Sequence, residues 1–501
     1  MLLAIPALML VENSRGRQAW REYLDKARAA GDVVDLTGII PPPVPDEENF
    51  AALPFFKPLF DWTPGAADPQ TGLRAITWRD RAGIARLESL NVQGNGTKAT
   101  PVFPSWRAGR FVDLVEWQEY YRGRDGEFPI APAPQSPAAD VALALSKFDG
   151  DLAQLRAGMP RAHARFPIRY QDHVGALLPH LPTLRNLAGI TRLRSLAALA
   201  EGRAEDAKAD LLLGFRLAAA VDGEPLLISH LVTIAMVEAT VSALWEGLAR
   251  QKWNEAQLAA FADALARWDF ISGYQRAIRG ERSIFTFGAL EALRSNPRLF
   301  FSALAGGPGD AVSTLLWRFL PSGLIDYNKA HLGVLYDKLL GTADPVARRF
   351  HPAKVEALDK EFVQDTARSR WNPHKILAAL LFPGVSKAQE RSAALQVTVD
   401  MATIAVALER HRLKKGSLPE TLDALVPEFL PRVPHDVMGG GPLRYHRGEA
   451  GRFTLYSIGW NGVDDDGAQA FKGGKAQTPD WRAGDWPWPQ PAVFPPKEGG
   501  F

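Results

Sequence analysis

The chain contains no cysteine, which removes disulfides, thiolate nucleophiles and Cys-ligated zinc or iron–sulfur centres from consideration. Neither sign of charge is in excess: 58 Lys and Arg stand against 56 Asp and Glu, a formal +2. No global field is available to attract nucleic acid, and no nucleic-acid partner is expected. The apolar run at the N-terminus, Leu2 to Val11, is too short to span a bilayer. It also lacks the positive lead and the small-residue cleavage site of a secretory signal. Ser229, beside His230, has no Gly-x-Ser-x-Gly frame. The run Gly439-Gly440-Gly441 is followed by neither Lys-Ser/Thr nor a helix start, as a phosphate loop requires.

What is present is an ordinary globular composition, 46% apolar and 23% charged, in 501 residues. That length exceeds what one hydrophobic core usually organises. The expected fold class is mainly α, with an irregular, solenoid-like helical central domain and a small α+β C-terminal module. The expected divisions are 1–40, an apolar anchor remnant and helix; 41–137, a Pro-rich and loop-rich wrapping segment; 138–387, a helical core; 388–475, the α+β module; and 476–501, a Trp/Pro-rich tail. Leu2 to Val11 is expected to be the distal half of a membrane anchor, with the start codon placed late; a short buried helix is the alternative.

Pro41, Pro42, Pro43 and Pro45 cannot be helical and form a stiff connector. From Ala51 to about Pro134 periodicity is weak apart from a short helix over Phe111 to Tyr121. Phe55, Phe56, Phe60, Trp62 and Trp106 are expected to anchor this stretch on a neighbouring domain. In the centre, the Gly202 region reads as the turn of an antiparallel helix hairpin, tetratricopeptide-like in its spacing but without a second copy at fixed period. Leu226 to Arg250 is apolar nearly all round, yet His230, Glu238 and Glu246 favour the core of a soluble fold over a membrane span. Asn254 is a natural N-cap for the helix that follows it.

From Ala388 the pattern sharpens. Val397, Met401, Ile404, Leu408 and His411 recur at helical spacing, Lys414 and Lys415 suit the last turn, and Gly416 is a stop. SLPETLDALVPEFLP offers a capping box, Ser417 with Glu420, and a short helix. PLRYHRGEAGRFTLYSIG alternates across a Gly-containing turn and predicts a hairpin.

A long helix, a short helix with Leu-Pro punctuation, a hairpin and an acidic loop, in that order, is similar to the soluble domain of the major pseudopilins of type II secretion. The similarity covers about Ala388 to Phe471 and is most specific in ALERHRLKKGSLPETLDALVP and FTLYSIGWNGVDDDG. It departs from the family in lacking a leader-peptidase site and the apolar N-terminal helix with its early glutamate. The family's Asp-Pro before Trp-Gly is here Asp436-Val437-Met438-Gly439. The resemblance implies a calcium site in the loop NGVDDDG, with Asn461, Asp464 and Asp466 as side-chain ligands; a solvated acidic turn is the plainer alternative. The N-terminal anchor, in turn, would place the chain extracytoplasmically in the cell envelope with a membrane contact through the N-terminus, and a protein partner is expected there.

No catalytic residue is assigned. The expected function is a non-enzymatic envelope scaffold. The competing reading is a hydrolase with a His/Glu site, with or without a metal, drawn from His163, His173, His180, Glu224 and His230. For the tail, Trp481, Trp486 and Trp488 either bind a partner or fold back on the domain.

Overall fold

The computed structural model describes residues 4–68, 74–93, 100–124, 126–295, 321–368, 372–382, 385, 387–449, 451–472 and 478–491. The fold is mainly α with small sheets of two or three strands, and the C-terminal part is α+β.

The N-terminal helix α1 (Ala4–Ala29) is one continuous element, joining the apolar start to the charged stretch. Helix α2 (Leu114–Arg122) begins at its N-cap Asp113 and packs on α3 (Pro137–Leu145). Three long helices follow, α4 (His180–Ala200), α5 (Ala204–Asp222) and α6 (Leu227–Ala249), each packed on the other two. The expected hairpin turn lies between α4 and α5, where Gly202 takes φ 74° at no steric cost. Gly214 permits the close approach: a Cβ there would come within 2.8 Å of Thr240 Oγ1 and 3.2 Å of Thr191 Oγ1.

Helix α7 (Glu255–Ala266) starts with the full capping box of Asn254 and Gln257. After α8 (Phe270–Gly280) comes a π-helical turn over Glu281–Thr286. Helix α9 (Gly323–Leu340) lies along α1, whose Asn13 Oδ1 accepts the Gly323 N–H at 2.8 Å and so satisfies an orphan donor at the start of α9. A short helix, α10 (Ile376–Leu381), precedes α11 (Lys387–Lys415).

The long helix α11 ends where its sequence predicts, with Gly416 at φ 81°. Its burial differs from the expected single stripe: it is enclosed on nearly every side from Ser392 to Leu408, because α6, α7 and α8 pack around it and the strand Phe453–Ser457 covers it further. The polar residues this encloses are bonded. Gln396 Oε1 accepts the Phe270 N–H at 2.8 Å, and Gln389 Nε2 donates to Thr342 O at 2.9 Å.

By length and composition, α6 and α11 are apolar enough to cross a membrane, with mean hydropathy 1.7 and 1.3, although 67% and 94% of those windows are buried inside the protein. Helix α1 is not among such helices. Leu10 and Val11 on its early turns are exposed, at 68% and 46%.

Of the five expected anchors of the wrapping segment, Phe55, Phe56 and Trp106 are buried, whereas Phe60 and Trp62 are half-buried. It also contains an antiparallel hairpin, β1 (Trp62–Ala67) with β2 (Arg74–Trp78). After β3 (Ala343–Asp344) and β4 (Arg349–Phe350), the predicted C-terminal hairpin forms from β5 (Arg444–Arg447) and β6 (Phe453–Ser457), with Tyr445 opposite Leu455. The expected capping box at Ser417 does not form. The short helix is 3-10, Leu422–Leu425, with Thr421 at its N-cap. Pro419 disfavours helical backbone at Leu418, and Glu420 pairs with Arg447 instead.

Strands β7 (Gln469–Phe471) and β8 (Pro479–Gly484) pair with each other, and β9 (Trp486–Pro487) adds to the free edge of β6. The tail therefore folds back on its own chain as far as Pro491, burying Trp486 and Trp488. One continuous cluster of buried apolar residues runs from Tyr23 to Trp488, linking the helices to the C-terminal module.

Candidate functional site

A cleft of about 1110 Å³ opens between the loop 101–113, α6, the start of α11 and strand β8. Small residues hollow it out. Ala235, Ala239 and Ser242 recur at helical spacing on α6, and Gly189 faces an adjoining chamber of about 290 Å³ from α4. Both spaces are lined by Phe103, Arg192, Ala235 and Ala239, so they form one trench.

Rings and guanidinium groups furnish the walls. Arg107 lies between Trp106 and Trp481, 4.7 and 4.6 Å from their ring centroids, and donates to Glu238 Oε1 and Thr398 Oγ1 at 2.9 Å each. Trp106 in turn contacts Trp245 and Trp488, both at 5.9 Å. Arg192 sits over Phe103 at 3.9 Å. Behind the cleft, Glu246 is 1% exposed and accepts the Val112 N–H at 3.0 Å, which fixes the end of the lining loop. Burial pushes the Glu246 carboxyl up to about 7, with the Val112 N–H, Arg192 and Arg250 opposing the rise.

Comparison with known protein families, characterised proteins and solved structures finds no match. Geometry alone therefore bears on the site.

Of the five residues considered for a hydrolase, the fold brings two together. His180 Nε2 lies 2.8 Å from Glu224 Oε1, and the Ser229 hydroxyl donates to Glu224 Oε2. Both His180 and Ser229 are wholly buried, and Phe166 stacks on the imidazole at 4.2 Å. The carboxylate stands between hydroxyl and imidazole, so the histidine is not placed to take the serine proton, as a nucleophilic serine needs. The others lie apart. His230 Nε2 meets Ser392 Oγ at 2.8 Å, and burial pulls its pKa down to about 3, holding it neutral. His173, at φ 51°, has Nδ1 3.0 Å from Ile284 O in the π-helical turn. His163 is at the surface, 3.7 Å from Glu48.

Two of the three expected calcium ligands, Asp464 and Asn461, have side-chain partners of their own. Asp464 Oδ1 accepts from Tyr456 Oη at 2.9 Å, and Arg444 Nε donates to Asp464 Oδ2 at 3.1 Å. The tyrosine hydroxyl leads in pulling the Asp464 carboxyl below the usual range. Asn461 Oδ1 accepts the Val463 N–H at 3.2 Å, and Asp466 adopts φ 53°. The buried carboxylate of Asp485 holds the loop from beneath, Oδ2 accepting the N–H groups of Asp465 and Gly467 at 2.9 and 2.7 Å. Among the described residues no group of three or more His, Asp or Glu is placed to hold a metal ion.

Proposed function

We propose that this chain is a non-enzymatic scaffold of the cell envelope, extracytoplasmic and tethered at its N-terminus, that holds a protein partner at the arginine–aromatic cleft. The observation that carries the reading is the lining of that cleft. Its rings and guanidinium groups suit the holding of a partner, and two of its carboxylates are already engaged: Glu238 by Arg107, and Asp113 by the Val115 N–H at 2.8 Å. The pseudopilin-like assignment is supported by the order of elements, α11, the short 3-10 helix, the β5–β6 hairpin and the acidic loop. The exposed Leu10 and Val11 support the tether. The hydrolase reading has one contact in its favour, His180 to Glu224, but that pair is sealed under Phe166.

Two measurements test the proposal. In fractionated host cells the chain is expected with the membranes, and Leu10→Asp combined with Val11→Asp lowers that share; recovery of the unmodified chain wholly in the soluble fraction overturns the tether. A photoreactive side chain in place of Val102, 80% exposed at the cleft lip, is expected to give one discrete adduct with an envelope protein. Absence of any adduct removes the scaffold role.

A further inference from the structure

The two arginines that stack on rings in the cleft differ in one respect. Arg107 has its donors engaged by Glu238 and Thr398. Arg192 makes no hydrogen bond and no ion pair through its side chain with any described residue, and its Nε is buried without a partner. The face of Phe103 lies against the cation, while Glu246 and Glu238 attract it from further off. Burial pulls this guanidinium down to about 10, so it stays charged at neutral pH while poorly solvated. A buried Nε left unmade is costly, and a planar fork of N–H groups matches the paired oxygens of a carboxylate or phosphate.

Position adds to the chemistry. Arg192 lines both the main cleft and the adjoining chamber, so a group bonded to it reaches the whole trench. Beside it, Ala235 and Ala239 leave room, and Phe111 and Trp481 offer apolar surface. At the rim, Arg110, Arg185 and Arg391 are exposed, line the same spaces and have no ion-pair partner among the described residues. Such a rim raises the local concentration of anions.

We propose that Arg192 is the anion-recognising residue of the cleft, taking through two parallel N–H···O bonds the carboxylate or phosphate group of a ligand whose apolar body lies along Ala235 and Ala239 towards Phe111 and Trp481. The inference rests on reading the cleft as a holding site and is independent of where the protein resides.

Titration calorimetry of the full chain tests it, with phenylacetate, phenyl phosphate and neutral phenethyl alcohol as probes. Both aryl anions are expected to bind saturably and the alcohol not to bind. The tighter anion tells carboxylate from phosphate. Arg192→Gln, and Arg192→Lys, which keeps the charge but loses the fork, each weaken binding at least about tenfold. Arg185→Gln, at the rim, weakens it less than either. No saturable heat at millimolar anion, equal binding by the alcohol, or undiminished binding by a folded Arg192→Gln chain overturns the proposal. Should Arg192→Gln fail to fold, Ala239→Phe fills the trench beside the guanidinium and is expected to exclude the aryl anions; their unchanged binding also overturns it. The scaffold reading fails separately, through the missing adduct at position 102 in the unmodified chain.

Discussion

Arg282 donates from Nη1 to Asp32 Oδ2 at 2.6 Å, and through this bond the segment after the N-terminal helix is fixed to the π-helical turn that follows α8. The same nitrogen meets Asp337 Oδ1 at 2.9 Å, and Nη2 reaches Val33 O at 3.0 Å. Arg282 is wholly buried. Its loss would leave Asp32, itself mostly buried, with only the longer contact to Arg279 Nε at 3.3 Å, a change that costs up to about 3 kcal/mol in comparable sites. Arg282→Ala is expected to lower Tm substantially, and Asp32→Ala should cost less in that background than in the parent, because the two share one contact. Additive losses in a thermal-melt double-mutant cycle would show that the two do not cooperate.

Glu246 predicts the sign of a pH effect. Its carboxyl is raised from 4.5 to about 7 in the folded chain, so the folded state holds a proton that the unfolded state has released across that interval. The associated stability is fully present below about pH 4.5 and is lost as pH rises through about 7. Glu246→Gln keeps an acceptor for the Val112 N–H and removes the titration. It should flatten the stability profile between pH 5 and 7, and at pH 8 should exceed the parent by roughly 1–3 kcal/mol. A denaturant series at three pH values checks this, and parallel profiles for parent and variant would refute it.

How far these features could be read beforehand depends on how local their causes are. The end of α11 at Lys415, the turn at Gly202 and the β5–β6 hairpin follow from short-range signals: a glycine in the left-handed region, lysines in a last turn, alternation of period two. The β1–β2 hairpin was not legible, since Pro64 interrupts its strand and little of it is buried to impose alternation. The cleft was not legible either. Arg107, Arg192 and Arg391 come from separate parts of the chain, and no spacing rule relates them; only the packing of α4, α6 and α11 brings them to one trench. A helix apolar all round predicts burial, and α6 obeys this, but its small residues at 235, 239 and 242 leave one side open.

The acidic loop carries a cation test. Arg444 occupies Asp464 Oδ2, and its positive charge competes with any calcium at the loop. With that partner in place the full chain is expected to melt at the same temperature in calcium and in chelator. Arg444→Ala frees the carboxylate beside Asp465 and Asp466, whose mutual repulsion a cation would relieve, and should acquire a calcium-dependent rise in Tm. Equal midpoints for the variant as well would remove calcium from this loop.

Trp488 tests whether the tail is part of the fold. It is 4% exposed, its N–H donates to Leu455 O at 2.7 Å, and its ring meets Trp106 on the wall of the cleft. The next residue, Pro489, accepts the Trp245 indole N–H at 2.8 Å, so the tail is bonded to the edge of β6 and to α6 at once. Truncating a buried tryptophan to alanine costs about 3–5 kcal/mol through lost burial and the cavity left behind. Trp488→Ala should therefore depress Tm markedly and, by loosening Trp106, also disorder the ring that stacks on Arg107. The backbone bonds of Trp488 and Pro489 survive the substitution, so the loss measures ring packing alone. A variant that melts with the parent would mean that the tail rests on the surface without contributing to the core.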